Sequence, residues 1–317
     1  MGTFNIVDLG DWTRGESDPG GDEAKRWFRA GDCSPYAGRW LFKPRTEKTL
    51  PLSRKRQALG DEPDVLVGGE DWAEKISYEL AKLIRVPAAE TELATVIRST
   101  DRRRVWGSMS RDMRPAGWSW APGAQLLAEV DPEFDEHSCA GHTPEAVRDV
   151  LAGVAGPYQT EYATWSAFDV FAGYLLLDAW IGNTDRHAHN WGVVQDPLSG
   201  DIYLGPSFDH GTSLASGETE ARRSERVSND GIDAWCGRGR TKRFYAGNPI
   251  GLVELAKQAL SLARDSARRH WIAQIREVDL GLCNDAISAV PGLSDPTRKF
   301  VQTAIDTNRK RLCDALY

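Results

Sequence analysis

The segment 164–182, TWSAFDVFAGYLLLDAWIG, is apolar nearly all the way round, and it runs straight into NTDRHAHN, residues 183–190, before the apolar WGVV resumes. A helix without a polar face has to be buried on every side. The chain must therefore wrap other apolar structure around it, and the polar residues at its end leave the middle of a core together. A chain of 317 residues, 41% hydrophobic and 27% charged, has enough material for such a core. That length corresponds to about two domains, or to one large domain with two lobes.

The order of elements around this helix points to an α+β fold. GRWLFKPR, residues 38–45, is a short apolar-aromatic run ended by a proline and reads as a strand with Lys43 at its end. Trp72, Ala73, Ile76, Leu80, Leu83 and Ile84 repeat at helical spacing up to Pro87. ETELATVIRS and RRVWGSMSRDM alternate around a polar turn, as in a β-hairpin. The first 30 residues, with RGESDPGGDEAKRW, read as an irregular entry, and RPAGWSWAPGAQLL as a connection between lobes. TPEAVRDVLAGV opens with a Thr N-cap and a Pro at the first helical position. WGVV and IYLGPS are short strands, and three further amphipathic stretches make the tail helical. The expected architecture is two-lobed and protein-kinase-like: a sheet-rich N-lobe over residues 1–115 and a helical C-lobe over 116–317.

Within that frame the polar residues suggest phosphoryl-transfer chemistry. Asp185 and Asn190 lie on the loop after the buried helix, and a hairpin of the length that follows can bring Asp209, in PSFDHG, back beside Asn190. An Asn carbonyl and an Asp carboxylate are hard oxygen donors suited to Mg²⁺, which keeps waters and phosphates for its remaining positions. Asp185 is then left to accept a proton from an attacking hydroxyl. Lys43, from the other lobe, would neutralise phosphate charge, and Glu74 on the following helix would hold that lysine.

IGNTDRHAHNWGVV followed by YLGPSFDHG resembles the catalytic core of the HipA-like serine/threonine kinases and, more distantly, elements of the phosphatidylinositol 3/4-kinases. WLFKPR resembles the family's ATP-lysine strand, and EDWAEKISYELAKLIRVPAAE its glutamate-bearing helix. The motifs are scattered over roughly residues 38–215. The resemblance implies Asp185 as catalytic base, Asn190 and Asp209 as Mg²⁺ ligands, Lys43 on the α/β-phosphates of ATP with Glu74 as its partner, and His187 as a brace for the loop. It also implies a protein Ser or Thr acceptor, possible autophosphorylation, and a toxin-like or regulatory role. Two departures stand out. Only 42 residues precede Lys43, so the extra N-terminal subdomain of the toxins is expected to be missing, which argues against carrying over a HipB-like antitoxin partner. No G-x-G-x-x-G precedes Lys43; Ser34 and Ser53 are the candidates for a serine-containing phosphate loop.

Other readings fit parts of the pattern. His187 and His189 form an H-x-H of the kind found in metal-dependent hydrolases. A small-molecule or lipid kinase, or a nucleotide-binding module without catalysis, would share the core. Residues 221–244, polar and basic at both ends, read as an exposed loop or as an activation or substrate loop, with Ser224 and Ser228 as modification candidates. A net charge of −7 argues against a general nucleic-acid binder. Five widely spaced cysteines suggest free thiols in a reducing cytoplasm. There is no secretory h-region and no apolar run long enough to span a membrane.

Overall fold

The computed structural model describes residues 2–17, 25–49, 65–98 and 100–316. Its N-terminal part is built on a six-stranded sheet. The strands are β1 (Ile6–Asp8), β2 (Thr13–Ser17), β3 (Arg26–Ala30), β4 (Gly38–Pro44), β5 (Glu47–Thr49), β6 (Val65–Val67), β7 (Thr91–Ile97) and β8 (Arg104–Arg111). The sheet runs β1-β7-β8-β4-β3-β2, while β5 and β6 pair separately. Helix α1 (Glu70–Leu83) packs against β7 and β8.

Three strands, β1, β2 and β3, thus lie within the first 30 residues, where an irregular entry was expected. β2 and β3 pair antiparallel, with Thr13 opposite Arg29 and Arg14 opposite Phe28. β2 is the sheet's edge and every one of its residues is exposed. A solvated edge strand needs no apolar alternation, so its sequence carries no strand signal. β3 and β4 bury Phe28, Trp40 and Phe42 in a small core of the sheet.

The C-terminal part holds β9 (Ser119–Pro122), α2 (Gly123–Val130), α3 (Pro144–Val150), α4 (Ala167–Ile181), β10 (Gly192–Gln195), β11 (Ile202–Leu204), α5 (Glu220–Ser228), α6 (Ile232–Gly237), β12 (Arg240–Thr241), β13 (Ile250–Gly251), α7 (Leu252–Leu262), α8 (Asp265–Glu277), α9 (Leu280–Ser288) and α10 (Asp295–Leu316). The stretch read as an inter-lobe connection supplies β9, which pairs with β10 in a three-stranded sheet, and the start of α2. Thr143 caps α3 by accepting from Ala146 N at 3.1 Å, as its sequence predicts.

Every residue of α4 is buried. Its partners in the large core come from α1, α7, α8 and α10. The sheet-rich N-terminal region and the helical C-terminal part therefore meet through α1, which contributes Trp72, Ile76 and Leu80 to the core around α4. Residues 221–244 are not one loop: α5 and α6 occupy most of them, and Arg223 is buried, donating to Thr297 and to the carbonyls of Ala215 and Glu218. The polar surface of these helices hid a single inward-facing arginine whose burial depends on α10, far away in sequence.

Candidate active site

Helix α4 ends at Gly182 in the left-handed conformation, φ 69°, which turns the chain sharply into residues 183–190. This loop is held from below by a carboxylate inside the apolar helix. Asp178, only 2% exposed, accepts from the Asn183 amide at 2.8 Å and from Arg186 Nε and Nη2 at 2.8 and 2.7 Å. Arg186 is itself fully enclosed, and its remaining N–H groups donate to Asn190 O, Phe208 O and Ser207 Oγ. One guanidinium thus fastens the end of α4, the polar loop and the segment before Asp209. Burial opposes its charge, but the Asp178 carboxylate outweighs burial and holds the arginine pKa above its usual value.

The fold brings together the four residues singled out for phosphate and metal, Lys43, Glu74, Asn190 and Asp209. Lys43 Nζ, at the end of β4, lies 3.0 Å from Glu74 Oε1 on α1 and 2.7 Å from Asp209 Oδ1. The partners are 31 and 166 residues away in sequence. Burial works against the lysine charge, but the two carboxylates more than compensate and raise its pKa. Burial likewise opposes ionisation of Asp209, yet Lys43 and then Lys25 pull its pKa below the usual carboxylate range. The second oxygen of Glu74 accepts from the His210 backbone N at 3.0 Å. Asp209 sits at φ 60°, a strained conformation for a residue with a side chain.

Asn190 donates its amide N–H to Asp185 O at 2.8 Å, which turns its side-chain oxygen away from that carbonyl. Asn190 and Asp209 line the same cleft, so two oxygen donors of the kind Mg²⁺ takes face one space. The pair fits that ion by donor chemistry. Among the described residues no three His, Cys, Asp or Glu side chains converge as metal ligands, and His189 instead lies 2.6 Å from Glu136. His187 Nδ1 accepts from the His189 backbone N at 3.2 Å; burial first of all depresses its pKa.

The cleft between the two parts has a volume of about 580 Å³, within the range of small-molecule sites. Leu41, Ala89, Met113, Trp120 and Phe208 give its lining an apolar part, and Lys25, Lys43, Asn190 and Asp209 a polar and charged part. A second cavity of about 520 Å³, on the other side of α1, contains none of these residues. Asp185 faces outward from the loop, with Arg243 Nε at 2.6 Å from its Oδ1.

Sequence reasoning missed Lys25, Asp178, His142 and Arg243. Lys25 lies 3.9 Å from Asp209 Oδ2, directly before β3. Asp178 was visible as an acidic residue within an apolar helix, a placement that demands a buried partner. His142 bridges distant segments: its Nδ1 lies 2.6 Å from Arg243 O and its Nε2 accepts from Trp191 Nε1 at 3.1 Å. Of the two serines considered for a phosphate loop, Ser34 lies in a turn where its Oγ accepts from Tyr36 N, outside the lining of the cleft. Ser53 falls outside the described residues.

A sheet carrying a lysine, a helix carrying its glutamate, and a helical part presenting a polar loop and a following Asp together define the protein-kinase-like fold. Comparison with solved structures gives the same class. The Helicobacter pylori proinflammatory kinase CtkA superposes with a TM-score of 0.71 at 15% identity, covering 98% of this chain and 97% of that one. HipA of the Shewanella oneidensis MR-1 toxin–antitoxin system, solved with HipB and operator DNA, gives 0.51 at 13% identity, covering 99% of this chain and 67% of that one. The sequence itself matches no protein-family model and no curated protein.

Proposed function

We propose that the protein is a kinase that uses ATP and Mg²⁺ to transfer the γ-phosphoryl group to a hydroxyl of a protein serine or threonine. The observation that carries this reading is Lys43 reaching both Glu74 and Asp209 in the wall of a cleft that Asn190 also lines. Four charged or polar groups from β4, α1, the 183–190 loop and the segment after β11 are gathered where triphosphate and metal would sit. The apolar part of the lining suits an adenine ring. The solved structures of similar fold support a phosphotransferase.

In this reading Lys43 neutralises the α/β-phosphates and Glu74 fixes its position. Asn190 and Asp209 hold Mg²⁺, which would screen charge on the phosphoryl oxygens. Lys25 adds a further cation on the same side as Asp209. Asp185 accepts the proton of the acceptor hydroxyl as its oxygen bonds to the γ-phosphorus and the bond to the ADP oxygen breaks. His187 and Arg186 keep the loop in register. Positioning and charge neutralisation supply the catalysis, with no covalent enzyme intermediate. The acceptor includes this chain's own serines, as in autophosphorylation, and a toxin-like or regulatory role follows from the HipA resemblance. A cytoplasmic setting accords with five cysteines that are all unpaired. No described helix is long and apolar enough to cross a membrane.

The test is transfer from γ-labelled ATP with Mg²⁺ to the protein itself and to added protein, comparing wild type with Asp185→Ala and Asp209→Ala. Label present in wild type and lost in both variants is the expected result. ATP binding without transfer to any acceptor would favour a nucleotide-binding module, and absence of ATP binding would remove the reading altogether.

A further inference from the structure

Beside the candidate catalytic loop lies a cavity of about 280 Å³ bordered by Gly182 and Thr184, which shares no lining residue with the cleft at Lys43. Thr184 directly precedes Asp185. Four arginines line this cavity, Arg226, Arg238, Arg240 and Arg311, against a single carboxylate, Glu218. Glu218 is already committed: both of its oxygens engage Arg226, at 2.9 and 3.0 Å. Arg311 donates to the Cys236 carbonyl and to Asn308 Oδ1, both neutral acceptors. Arg238 and Arg240 have no ion pair among the described residues. Arg238, Arg240 and Arg311 therefore line one small concavity without an ion pair among the described residues, in a chain whose net charge is −7. Arginines gathered around one concavity favour an anion there, and guanidinium forks are suited to carboxylate and phosphoryl oxygens.

The cavity is fastened to the loop that carries Asp185. Thr241 Oγ1, between the basic residues of this segment, donates to Thr184 O at 2.8 Å. Arg240 is fixed by the pairing of β12 with β13, opposite Gly251. Arg238 caps α6 through its backbone N–H. An anion bound here sits against Thr184, the residue directly before Asp185. Lys242 and Arg243 continue the basic surface toward Asp185 and are exposed.

We infer that this arginine-lined cavity is an acceptor subsite that takes an anionic side chain, a carboxylate or a phosphoryl group, from the protein to be phosphorylated. The inference rests on the kinase reading and adds the substrate class: serine or threonine in a segment bearing an acidic or already phosphorylated residue. A segment without such a residue leaves the three cations unpaired and is a poorer acceptor.

The experiment uses the full chain and short peptides with one serine in an alanine-rich background. Each flanking position in turn carries Glu, phosphoserine, Ala or Lys. Transfer is measured alongside fluorescence anisotropy of the same peptides with the acceptor serine replaced by alanine. One anionic charge of this kind is expected to raise kcat/KM by about tenfold at a single preferred position, mainly through KM. Arg238→Ala with Arg240→Ala should erase the preference in both transfer and binding, and Arg238→Glu with Arg240→Glu should move it to lysine-bearing peptides. A gain from Glu and phosphoserine alike marks a carboxylate-accepting subsite, and a gain from phosphoserine alone marks a phosphoryl reader; both support the inference. A flat preference, or one indifferent to the double substitutions, overturns it while leaving the kinase reading intact. Selective binding of anionic peptides, lost in the double variant but with no transfer to any peptide, supports the subsite and counts against the kinase reading.

Discussion

Arg243 Nε lies 2.6 Å from Asp185 Oδ1, so the carboxylate proposed to take the acceptor proton is already engaged by a cation from the segment after α6. The guanidinium is 44% exposed and the carboxylate 28%. An ion pair this open to water contributes only about 0.2–1 kcal/mol. An incoming hydroxyl displaces it at little cost. Arg243→Ala should therefore raise kcat/KM for small uncharged acceptors, by at most about fivefold, the factor corresponding to 1 kcal/mol. Asp185→Asn, measured beside it, should reduce transfer by about 10²–10⁴, the usual worth of a general base. Steady-state kinetics on the two variants decide the matter, and a large loss on Arg243→Ala would mean that the arginine takes part in the chemistry.

Lys43 stands between two carboxylates with side-chain exposures of 3% for Glu74 and 29% for Asp209. Lys43→Met would leave both facing each other beside the cleft. Removing one member of a buried charge pair costs about 3–5 kcal/mol. Asp209, whose folded pKa is depressed, adds stability above its unfolded value of 3.8 and loses it as pH falls through the folded one. Without Lys43 the larger part of that contribution is lost, and only Lys25 remains as a cation beside Asp209. Urea unfolding should place Lys43→Met well below wild type at neutral pH, with the two curves converging as the solution is acidified below about pH 4. Parallel curves throughout would contradict the assignment of the loss to exposed carboxylate repulsion.

Arg186 is the structural centre of the polar loop, with bonds to Asp178, Asn190, Ser207 and Phe208. A lysine there keeps the charge but not the planar fork, so it can satisfy only part of this set. Arg186→Lys is expected to leave the chain folded, since Asp178 keeps a cation, while Asn190 and Asp209 lose their common tether. The expected signature is a raised Mg²⁺ requirement for transfer with little change in the KM for acceptor. An unchanged Mg²⁺ titration would show that the two donors are held by other contacts.

The parts of this site that could be read in the sequence are those set by local chemistry. The all-apolar helix, its left-handed glycine stop and the dense polar loop are contiguous, so α4 and residues 183–190 announce each other. Lys43 and Glu74 were legible because a strand and a helix each have a period. What escaped notice depends on long-range packing. β2 is an edge strand solvated along its whole length, so nothing in its residues marks it as a strand. Arg223 looks like surface charge until α10 covers it. Arg243 and Asp185 are 58 residues apart, and only the packing of α6, β12 and the 139–142 turn brings them together. His142 was one of several scattered histidines, and its place between Trp191 and Arg243 exists only in the folded chain.

That histidine supplies the last expectation. His142 is 1% exposed, with its ring stacked on Phe244 at a centroid distance of 4.1 Å. Burial pushes its pKa down to about 4. His210, 3% exposed beside Ser207 Oγ, is pushed down to about 3, again chiefly by burial. Both rings are therefore neutral in the folded protein at neutral pH, and His142 donates from Nδ1 to Arg243 O while Nε2 accepts from Trp191. The unfolded chain takes up these protons near pH 6.5, the folded chain only near pH 3–4. Between those limits the unfolded state binds more protons, so stability is full above about 6.5 and falls as pH drops. Two such groups give a slope approaching about 2.7 kcal/mol per pH unit between pH 6 and 4.5. Chemical unfolding followed across this window should show the slope, and His142→Gln, which cannot be protonated, should lower it by up to about 1.4 kcal/mol per pH unit. A stability that stays level from pH 7 to pH 5 would mean that both rings accept a proton in the folded state, with the link between Trp191 and Arg243 broken.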